Sequence, residues 1–145
     1  EFDFFLYEPK FLKLRLHSDN NKKSFWLYLT WYLFTLGRYR ILYIYSKKNN
    51  EFAHFSNIVP GFFKYSFISH NDMQIANSYT FKKYRRKGFY IFAISEIQRS
   101  FGKKRIWIGS ECSNLESIKA IEKMGFKKTL KAKKSIFGIY YKTYE

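Results

Sequence analysis

Cysteine and proline are scarce in this 145-residue chain, which has one cysteine, Cys112, and two prolines. A lone cysteine excludes an internal disulfide and is typical of a reducing compartment, so we expect a cytoplasmic protein. Long apolar runs are also missing. The longest, FWLYLTWYLFTL at residues 25–36, falls short of the ~20 residues that cross a bilayer.

Acidic residues are few, with 11 Asp and Glu against 27 Lys and Arg, which gives a net charge of +16. Such a charge suits nucleic acid, an anionic membrane or an anionic ligand. A nucleic-acid-binding module is one hypothesis, but no RNP-like, helix-turn-helix or zinc-finger signature supports it, so we expect no nucleic-acid partner. The three histidines and single cysteine are too scattered for metal-ligand spacing, so no metal is implied.

Apolar and aromatic residues are abundant, at 46% and 23%. This length and composition predict one domain over residues 1–145. Alternation and helical periodicity predict a mixed α/β (α+β) sheet with helices against it. The first half is predicted to contain an extended stretch at 2–16 that includes LKLRL, a helix from Asp19 or Asn20 to about Leu36 ended by Gly37, and the strands RILYIYS and EFAHFSNIV joined by KKNN. The strand MQIANSYTF follows, then a helix with Tyr90, Ile94, Ile97 and Phe101 on one face, and the strand RIWIGS. The last predicted elements are a helix capped by Ser113 and Glu116 that ends at Met124, and a hairpin of FKKTLKA and SIFGIYYKTY joined by Lys133 and Lys134.

The aromatic run at 25–36 predicts a core or interface helix. Its flanks are basic, with Arg38 and Arg40 on the C-terminal side. A segment lying on an anionic membrane surface is therefore the alternative. The partners expected through this helix are a second copy of the chain or a membrane surface.

The stretch YRRKGFY, at residues 84–90, follows a predicted strand and opens a predicted helix. Helix N-termini present free N–H groups to anions, and glycine lets the backbone approach a ligand closely. Arg85, Arg86 and Lys87 precede Gly88 and add full positive charge. Walker and dinucleotide-binding glycine patterns are both absent. The stretch therefore predicts a phosphate site of another kind.

Two motifs in this half of the chain resemble the GCN5-related N-acetyltransferases (the GNAT family). The first is R-x-x-G-x-[G/A], matched by Arg85 and Gly88 with Tyr90 in the last place. The second is an Asn, a small residue three positions on and a closing Gly-Phe, matched in NLESIKAIEKMGF by Asn114, Ser117 and the pair at 125–126. The resemblance covers about residues 72–130. The segments NSYT, YRRKG and SIKAIEKMGF also resemble the sequences of a GNAT branch found among bacterial surface-polysaccharide genes.

The resemblance implies a mostly antiparallel sheet with a central splayed strand pair, formed by the strands at 73–81 and 105–110, and flanking helices. Acetyl-CoA would insert between the two strands as co-substrate. Its pantetheine amides would pair with the backbone of Ser78, Tyr79 and Thr80, and its pyrophosphate would sit on the N–H groups of residues 86–91, which include Phe89 and Tyr90. Asn114 and Ser117 would lie beside the pantetheine arm, and Lys119 or Lys123 near the outlying phosphate.

The chemistry that the resemblance implies is direct attack of an amine on the thioester. His54, on the strand EFAHFSNIV, is the candidate base, because an imidazole pKa near 6.5 suits proton uptake at neutral pH. The family's usual general acid is a tyrosine, but the matching position is Ile121. Tyr141 is the substitute we assign, with Tyr140 and Tyr79 as alternatives. Cys112 would be the nucleophile of a covalent route, but no paired base is identifiable.

The function expected is therefore acetyl-CoA-dependent N-acetylation of a small amine, with an amino sugar of a surface-polysaccharide precursor as the candidate acceptor. The aromatic stretch NIVPGFFKYSFISHND would cover that acceptor. The alternative, motivated by Ile121, is a non-catalytic CoA-binding or regulatory domain.

Overall fold

A five-stranded sheet carries the fold, with its strands in the order β1-β2-β3-β4-β5. The structure is a computed structural model that describes residues 1–18, 22–61, 65–135 and 140–143. Its elements are β1 (Phe2–Tyr7), α1 (Lys22–Thr35), β2 (Arg40–Ser46), β3 (Glu51–Pro60), β4 (Met73–Thr80), a 3₁₀ turn (Lys82–Tyr84), α2 (Phe89–Ser100), β5 (Ile106–Ile108), α3 (Leu115–Lys123), β6 (Lys131–Lys134) and β7 (Tyr140–Thr143).

The first four strands are antiparallel neighbours, whereas β4 and β5 are parallel. A parallel pair needs a long crossover, and α2 supplies it. The predicted mixed, mostly antiparallel sheet with helices is confirmed. None of the described helices is both long and apolar enough to pass through a bilayer.

Both faces of the sheet are covered, which explains why β2 reads as an unbroken apolar run. Alternate side chains of a strand point to opposite faces. Leu42 and Ile44 belong to the core cluster under α2, whereas Ile41 and Tyr43 belong to the cluster under α1. The predicted apolar face of α2 is confirmed, since its central residues Ile94 and Ile97 are fully buried.

The aromatic helix α1 ends where the sequence predicts, because Leu36 and Gly37 both take positive φ angles, 51° and 71°. The helix buries Tyr28 and Trp31 against the sheet. Its other side leaves four large apolar side chains exposed, Phe25, Trp26, Leu33 and Phe34, and Leu36, just after the helix, is exposed as well. The predicted cap residues, 19 and 20, lie outside the described part of the chain.

The extended prediction for LKLRL is wrong, although its alternation suggested a strand. Lys10 and Lys13 instead pair with each other in a tight turn, with N–O distances of 3.1 and 2.8 Å. Leu14 is buried under the sheet and Leu12 is 95% exposed. Tyr39 fixes the segment by donating a hydrogen bond to the Leu14 carbonyl at 2.6 Å. The apolar residues are placed by this side-chain contact and not by a strand partner.

Two boundaries near the C-terminus also differ from prediction. The α3 cap is Asn114, whose Oδ1 accepts from the Ser117 N–H at 3.1 Å, and not Ser113 with Glu116. Asn and Ser are both strong N-cap residues, and the helix starts one position later than predicted, so the cap falls on Asn114. Lys133 and Lys134 belong to β6, which pairs with β7 in a separate two-stranded sheet, so they are not the turn. Residues 136–139 of that hairpin lie outside the described ranges.

Candidate active site

The parallel ladder between β4 and β5 ends early. Its last pair is Ile75 with Ile108, whereas β4 continues to Thr80. Residues 76–80 therefore leave one edge of β4 without a strand partner among the described residues. An open strand edge offers N–H and C=O groups to an extended ligand.

A β-bulge lies on the same stretch of β4. On the β3 side, Ser56 pairs with Ser78 and Ile58 pairs with Ile75. Ala76 and Asn77 together therefore oppose the single residue Asn57. A bulge leaves a backbone group out of the ladder and turns it to a new direction.

A cavity of about 740 Å³ occupies this gap between β4 and β5. Its walls come from the residues before and in α1, from β3, β4 and β5, and from the starts of α2 and α3. Its lining residues are His17, Ser18, Ser24, Leu27, Tyr28, Phe55, Asn57, Ile75, Ala76, Asn77, Ser78, Tyr79, Phe81, Tyr90, Ile108, Gly109, Ser110, Glu111, Asn114 and Ser117.

The N-terminus of α2 follows the glycine loop. Arg86 and Gly88 have positive φ angles of 62° and 79°. The first helical bond runs from the Phe92 N–H to the Gly88 carbonyl at 3.0 Å. The N–H groups of Phe89, Tyr90 and Ile91 thus have no partner within the helix, and the helix dipole makes this end attractive to anions.

The basic side chains of the loop are held differently from one another. Arg85 donates through Nε to the Thr80 carbonyl at 3.3 Å and lies over the Tyr79 ring. Lys87 lies over the Tyr84 ring, 5.4 Å from its centroid. Arg86 is exposed and makes no side-chain hydrogen bond or ion pair with the described residues. Of the three, it is the cation most available to a ligand.

The cofactor-binding residues that the sequence suggested fall into three groups. Ser78, Tyr79, Tyr90, Asn114 and Ser117 line the cavity. The loop residues Arg85, Arg86, Lys87 and Gly88 surround the start of α2 and do not line the cavity. Thr80 and Phe89 turn their side chains inward, since Thr80 contacts His54 and Phe89 packs on Phe2 at 4.8 Å.

His54, the candidate base, is fully buried and is not part of the cavity wall. Its Nδ1 lies 2.7 Å from Thr80 Oγ1, and its Nε2 lies 2.8 Å from Ser56 Oγ. Ser56 Oγ in turn lies 2.8 Å from Ser78 Oγ, which does line the cavity. Burial lowers the pKa of His54 to about 4. Hydrogen bonds thus connect His54 to the cavity through two hydroxyl groups, and its ring centroid lies 6.4 Å from that of the cavity residue Tyr90. With this pKa His54 is a weak base.

The candidate acids differ in whether they line the cavity. Tyr141 lies on β7, is 47% exposed and does not line the cavity. Tyr79 lines the cavity, as does Tyr90. The Tyr90 hydroxyl lies 3.4 Å from Ser117 Oγ of α3, and burial raises the Tyr90 pKa. Cys112 is exposed and is absent from the cavity wall.

Sequence reasoning did not single out the cavity residues His17, Tyr28 and Asn57, although Asn57 begins the stretch at 57–72 that was expected to cover the acceptor. The Tyr28 hydroxyl donates to Asn57 Oδ1 at 3.1 Å and lies 3.4 Å from His17 Nε2. His17 directly follows the stretch at 2–16 that we expected to be extended. Asn57 carried a usable signal, since it is a polar residue next to the apolar run IVP, in the part of β3 at 56–60 that is fully buried.

No family model and no curated protein matches the sequence. Solved structures match its fold. AAC(6′)-Iy, in complex with the bisubstrate analogue CoA-S-monomethyl-acetylneamine, is 13% identical, with 90% of this chain and 94% of that one covered and a TM-score of 0.64. The chain has the GNAT fold.

Other acetyltransferases match the fold as well. The ribosomal-protein-S18-alanine N-acetyltransferase from Escherichia coli is 14% identical, with 95% of this chain and 88% of that one covered and a TM-score of 0.61. Glucosamine-6-phosphate N-acetyltransferase from Arabidopsis thaliana is 12% identical, with 92% of this chain and 99% of that one covered and a TM-score of 0.55. At these identities the likeness establishes the GNAT fold alone.

Proposed function

We propose that this protein is an acetyl-CoA-dependent N-acetyltransferase that transfers the acetyl group directly to a small amine. The observation that carries the proposal is the cavity, which adjoins an open strand edge, a bulge in that strand and the N-terminus of α2. These are the parts that an extended thioester with a pyrophosphate needs.

In this proposal the pantetheine arm runs along the open edge of β4, at the backbone of Ser78, Tyr79 and Thr80. The pyrophosphate lies on the free N–H groups at the start of α2, where Arg86 adds its charge. Asn114 and Ser117 flank the arm from α3. The bulge beside Ala76 brings an unpaired backbone N–H to the thioester carbonyl, where it stabilises the developing oxyanion.

The amine must lose a proton during the attack. An imidazole with a pKa of about 4 cannot hold that proton at neutral pH, so we revise the role of His54. His54 orients the Ser78 hydroxyl through Ser56, and solvent water in the cavity accepts the proton.

We also propose that Tyr90 protonates the departing thiolate, in place of the tyrosine that is missing at Ile121. Tyr90 lines the cavity next to α3, the helix that carries this acid in the family that the sequence resembles. Because burial raises its pKa, the Tyr90 hydroxyl keeps its proton until the thiolate forms. Tyr141, outside the cavity, is less suited to this role.

The acceptor that we propose is an amino sugar, as found in surface-polysaccharide precursors. Phe55, Tyr79 and Phe81 contribute aromatic rings to the cavity wall, and aromatic faces suit the apolar faces of sugar rings. The neighbour from Arabidopsis thaliana is a glucosamine-6-phosphate N-acetyltransferase. Part of the predicted covering loop packs elsewhere, since Tyr65 stacks on Tyr140 at 4.7 Å, and residues 62–64 lie outside the described ranges.

The exposed face of α1 supports a further partner, and we propose that it is an anionic membrane surface. Trp26 and Phe34 lie on this face, and the chain has a net charge of +16. Two copies of so basic a chain repel each other, whereas anionic lipids attract it. A second copy of the chain is the competing occupant.

Thermal unfolding with and without acetyl-CoA tests cofactor binding. A ligand at 100 times its Kd adds about 2.7 kcal/mol to the stability of the native state. We expect a raised midpoint in the wild type and none in an Arg86→Glu/Gly88→Trp variant. Lys128→Glu/Gly125→Trp is the matched control, because it makes the same changes of charge and glycine away from the loop, and it should keep the shift.

Measuring the release of CoA from acetyl-CoA in the presence of glucosamine then distinguishes an acetyltransferase from a non-catalytic CoA-binding domain. Turnover supports the transferase. A thermal shift without turnover on any amine would favour the non-catalytic CoA-binding domain, and no shift at millimolar acetyl-CoA would refute both.

A further inference from the structure

We call the part of the cavity lined by His17, Tyr28 and Asn57 its acceptor end. A buried chain of polar groups lies there. Tyr43, which is fully buried, accepts hydrogen bonds from the N–H groups of Leu16 at 2.9 Å and His17 at 3.4 Å. These two donors occupy the lone pairs of its hydroxyl oxygen. The hydroxyl proton is therefore directed at His17 Nδ1, 2.7 Å away.

The order of donors continues along the chain. Because His17 Nδ1 accepts, the ring proton sits on Nε2, which faces the Tyr28 hydroxyl at 3.4 Å. Tyr28 in turn donates to Asn57 Oδ1 at 3.1 Å. The His17 ring is also held by stacking on Phe55, with centroids 4.0 Å apart and planes 11° apart.

This order fixes which way the Asn57 amide faces. Its oxygen is occupied by Tyr28, so its NH₂ group is the end left for another partner. Asn57 is 1% exposed and lines the cavity, and its Nδ2 makes no hydrogen bond to the described residues. Asn57 Nδ2 is not one of the buried side-chain atoms without a partner, so it is accessible from the cavity, where water or a ligand can accept a hydrogen bond from it.

Charge offers little recognition at this end. Among the described residues that line the cavity, Glu111 is the only one with a carboxylate. The described lining residues therefore form no cluster of acids that would select a cationic amine. Selectivity has to come from hydrogen bonds to the other polar groups of the acceptor.

We propose that Asn57 Nδ2 donates a hydrogen bond to an oxygen of the acceptor, and that the Tyr43–His17–Tyr28 chain positions Asn57 for this contact. The acceptor class is then an amine that carries a hydroxyl oxygen close to the reacting nitrogen, as an amino sugar does. This inference rests on the proposed acetyltransferase function and specifies its substrate.

A pair of amines that differ in one hydroxyl, trans-2-aminocyclohexanol and cyclohexylamine, tests the proposal in the full chain with acetyl-CoA. We expect the wild type to favour the amino alcohol by about tenfold or more in kcat/KM, because bound cyclohexylamine leaves the Asn57 amide donor without a hydrogen-bond partner. Asn57→Ala should bring the ratio close to one, mainly by raising KM for the amino alcohol. Tyr28→Phe should lower the ratio in part.

Thr35→Val is the control for a lost buried hydroxyl. Thr35 also donates a hydrogen bond from a buried site, to the Trp31 carbonyl at 2.6 Å, but it does not line the cavity. This variant should lose thermal stability as Tyr28→Phe does and keep the wild-type ratio. Equal use of both amines by the wild type, with acetyl-CoA binding intact, would overturn the role of Asn57 and leave the acetyltransferase function standing.

A second readout does not depend on turnover. The side-chain amide signals of Asn57 in a ¹⁵N correlation spectrum are assigned by their loss in Asn57→Ala. We expect them to shift when glucosamine is added to the CoA-bound protein. Signals that stay in place up to the solubility limit of glucosamine would overturn the proposal, even if neither amine of the pair is acetylated.

Discussion

Gly88 and Gly125 share one backbone conformation, with φ angles of +79° and +85°, and a Cβ atom added to either would meet nothing within 4 Å. Gly88 precedes α2 in the basic loop, and Gly125 follows α3. The space beside both glycines is open, so each is required by its left-handed conformation and not by packing.

Substitution of each glycine by alanine separates folding from ligand binding. The strain of a left-handed alanine should cost Gly88→Ala and Gly125→Ala about 1 kcal/mol each in urea unfolding. We expect only Gly88→Ala to weaken acetyl-CoA binding in calorimetry, because its methyl group lies where the pyrophosphate is proposed to approach. Equal affinities for the two variants would contradict a phosphate site at this loop.

The strand, turn and helix at this loop could be predicted from the sequence because the signals are local. A strand, a basic glycine turn and a helical period follow one another within residues 73–101, and backbone chemistry couples them directly. The same holds for Gly37, which ends α1, and for the KKNN turn. Local rules failed at LKLRL, where the alternation is real but the Tyr39 hydroxyl and a tight turn decide the conformation.

The acceptor end of the site could not be predicted in the same way. His17, Tyr28, Tyr43 and Asn57 come from four separate segments, and their hydrogen bonds exist only after the sheet and α1 have packed. His54 was predicted from its residue type, but its fully buried position between Thr80 and Ser56 depends on the register of β3 and β4. Tertiary burial sets such pKa values, and a linear pattern carries little information about it.

His54 should make the stability of the protein depend on pH. Burial lowers its pKa to about 4 in the folded chain, against 6.5 for an imidazole that is free in water. Between these two values the unfolded state binds a proton that the folded state does not, so the free energy of unfolding falls as pH falls from 6.5 to 4. Protonation of this one group lowers the free energy of unfolding by about 3 kcal/mol at most, and above pH 6.5 it no longer changes that free energy.

Urea unfolding across this pH range measures the effect. His54→Gln keeps polar groups near Thr80 and Ser56, and it should remove most of this part of the slope. A slope unchanged in His54→Gln would show that other groups cause the pH dependence.

Tyr90→Phe tests the proposed acid. Removing the hydroxyl should lower kcat about tenfold with glucosamine as acceptor, with little change in KM for acetyl-CoA, because a thiolate of pKa about 8.5 still leaves without assistance. Tyr79→Phe, on the same cavity wall, should change kcat much less. The reverse order of effects in steady-state kinetics would assign the acid to Tyr79.

The exposed face of α1 should bind anionic lipid. Trp26 is 64% exposed and Leu33 is 56% exposed, and they lie two helical turns apart on this face. We expect the wild type to sediment with phosphatidylserine-containing vesicles and much less with neutral vesicles. Trp26→Ser/Leu33→Ser should abolish sedimentation, since it removes apolar anchors and leaves the charge of the chain unchanged. Leu115→Ser, an exposed apolar position on α3, should sediment as the wild type does. A wild type that ignores vesicles and has twice the mass of the double variant in light scattering would instead identify this face as a contact between two copies of the chain.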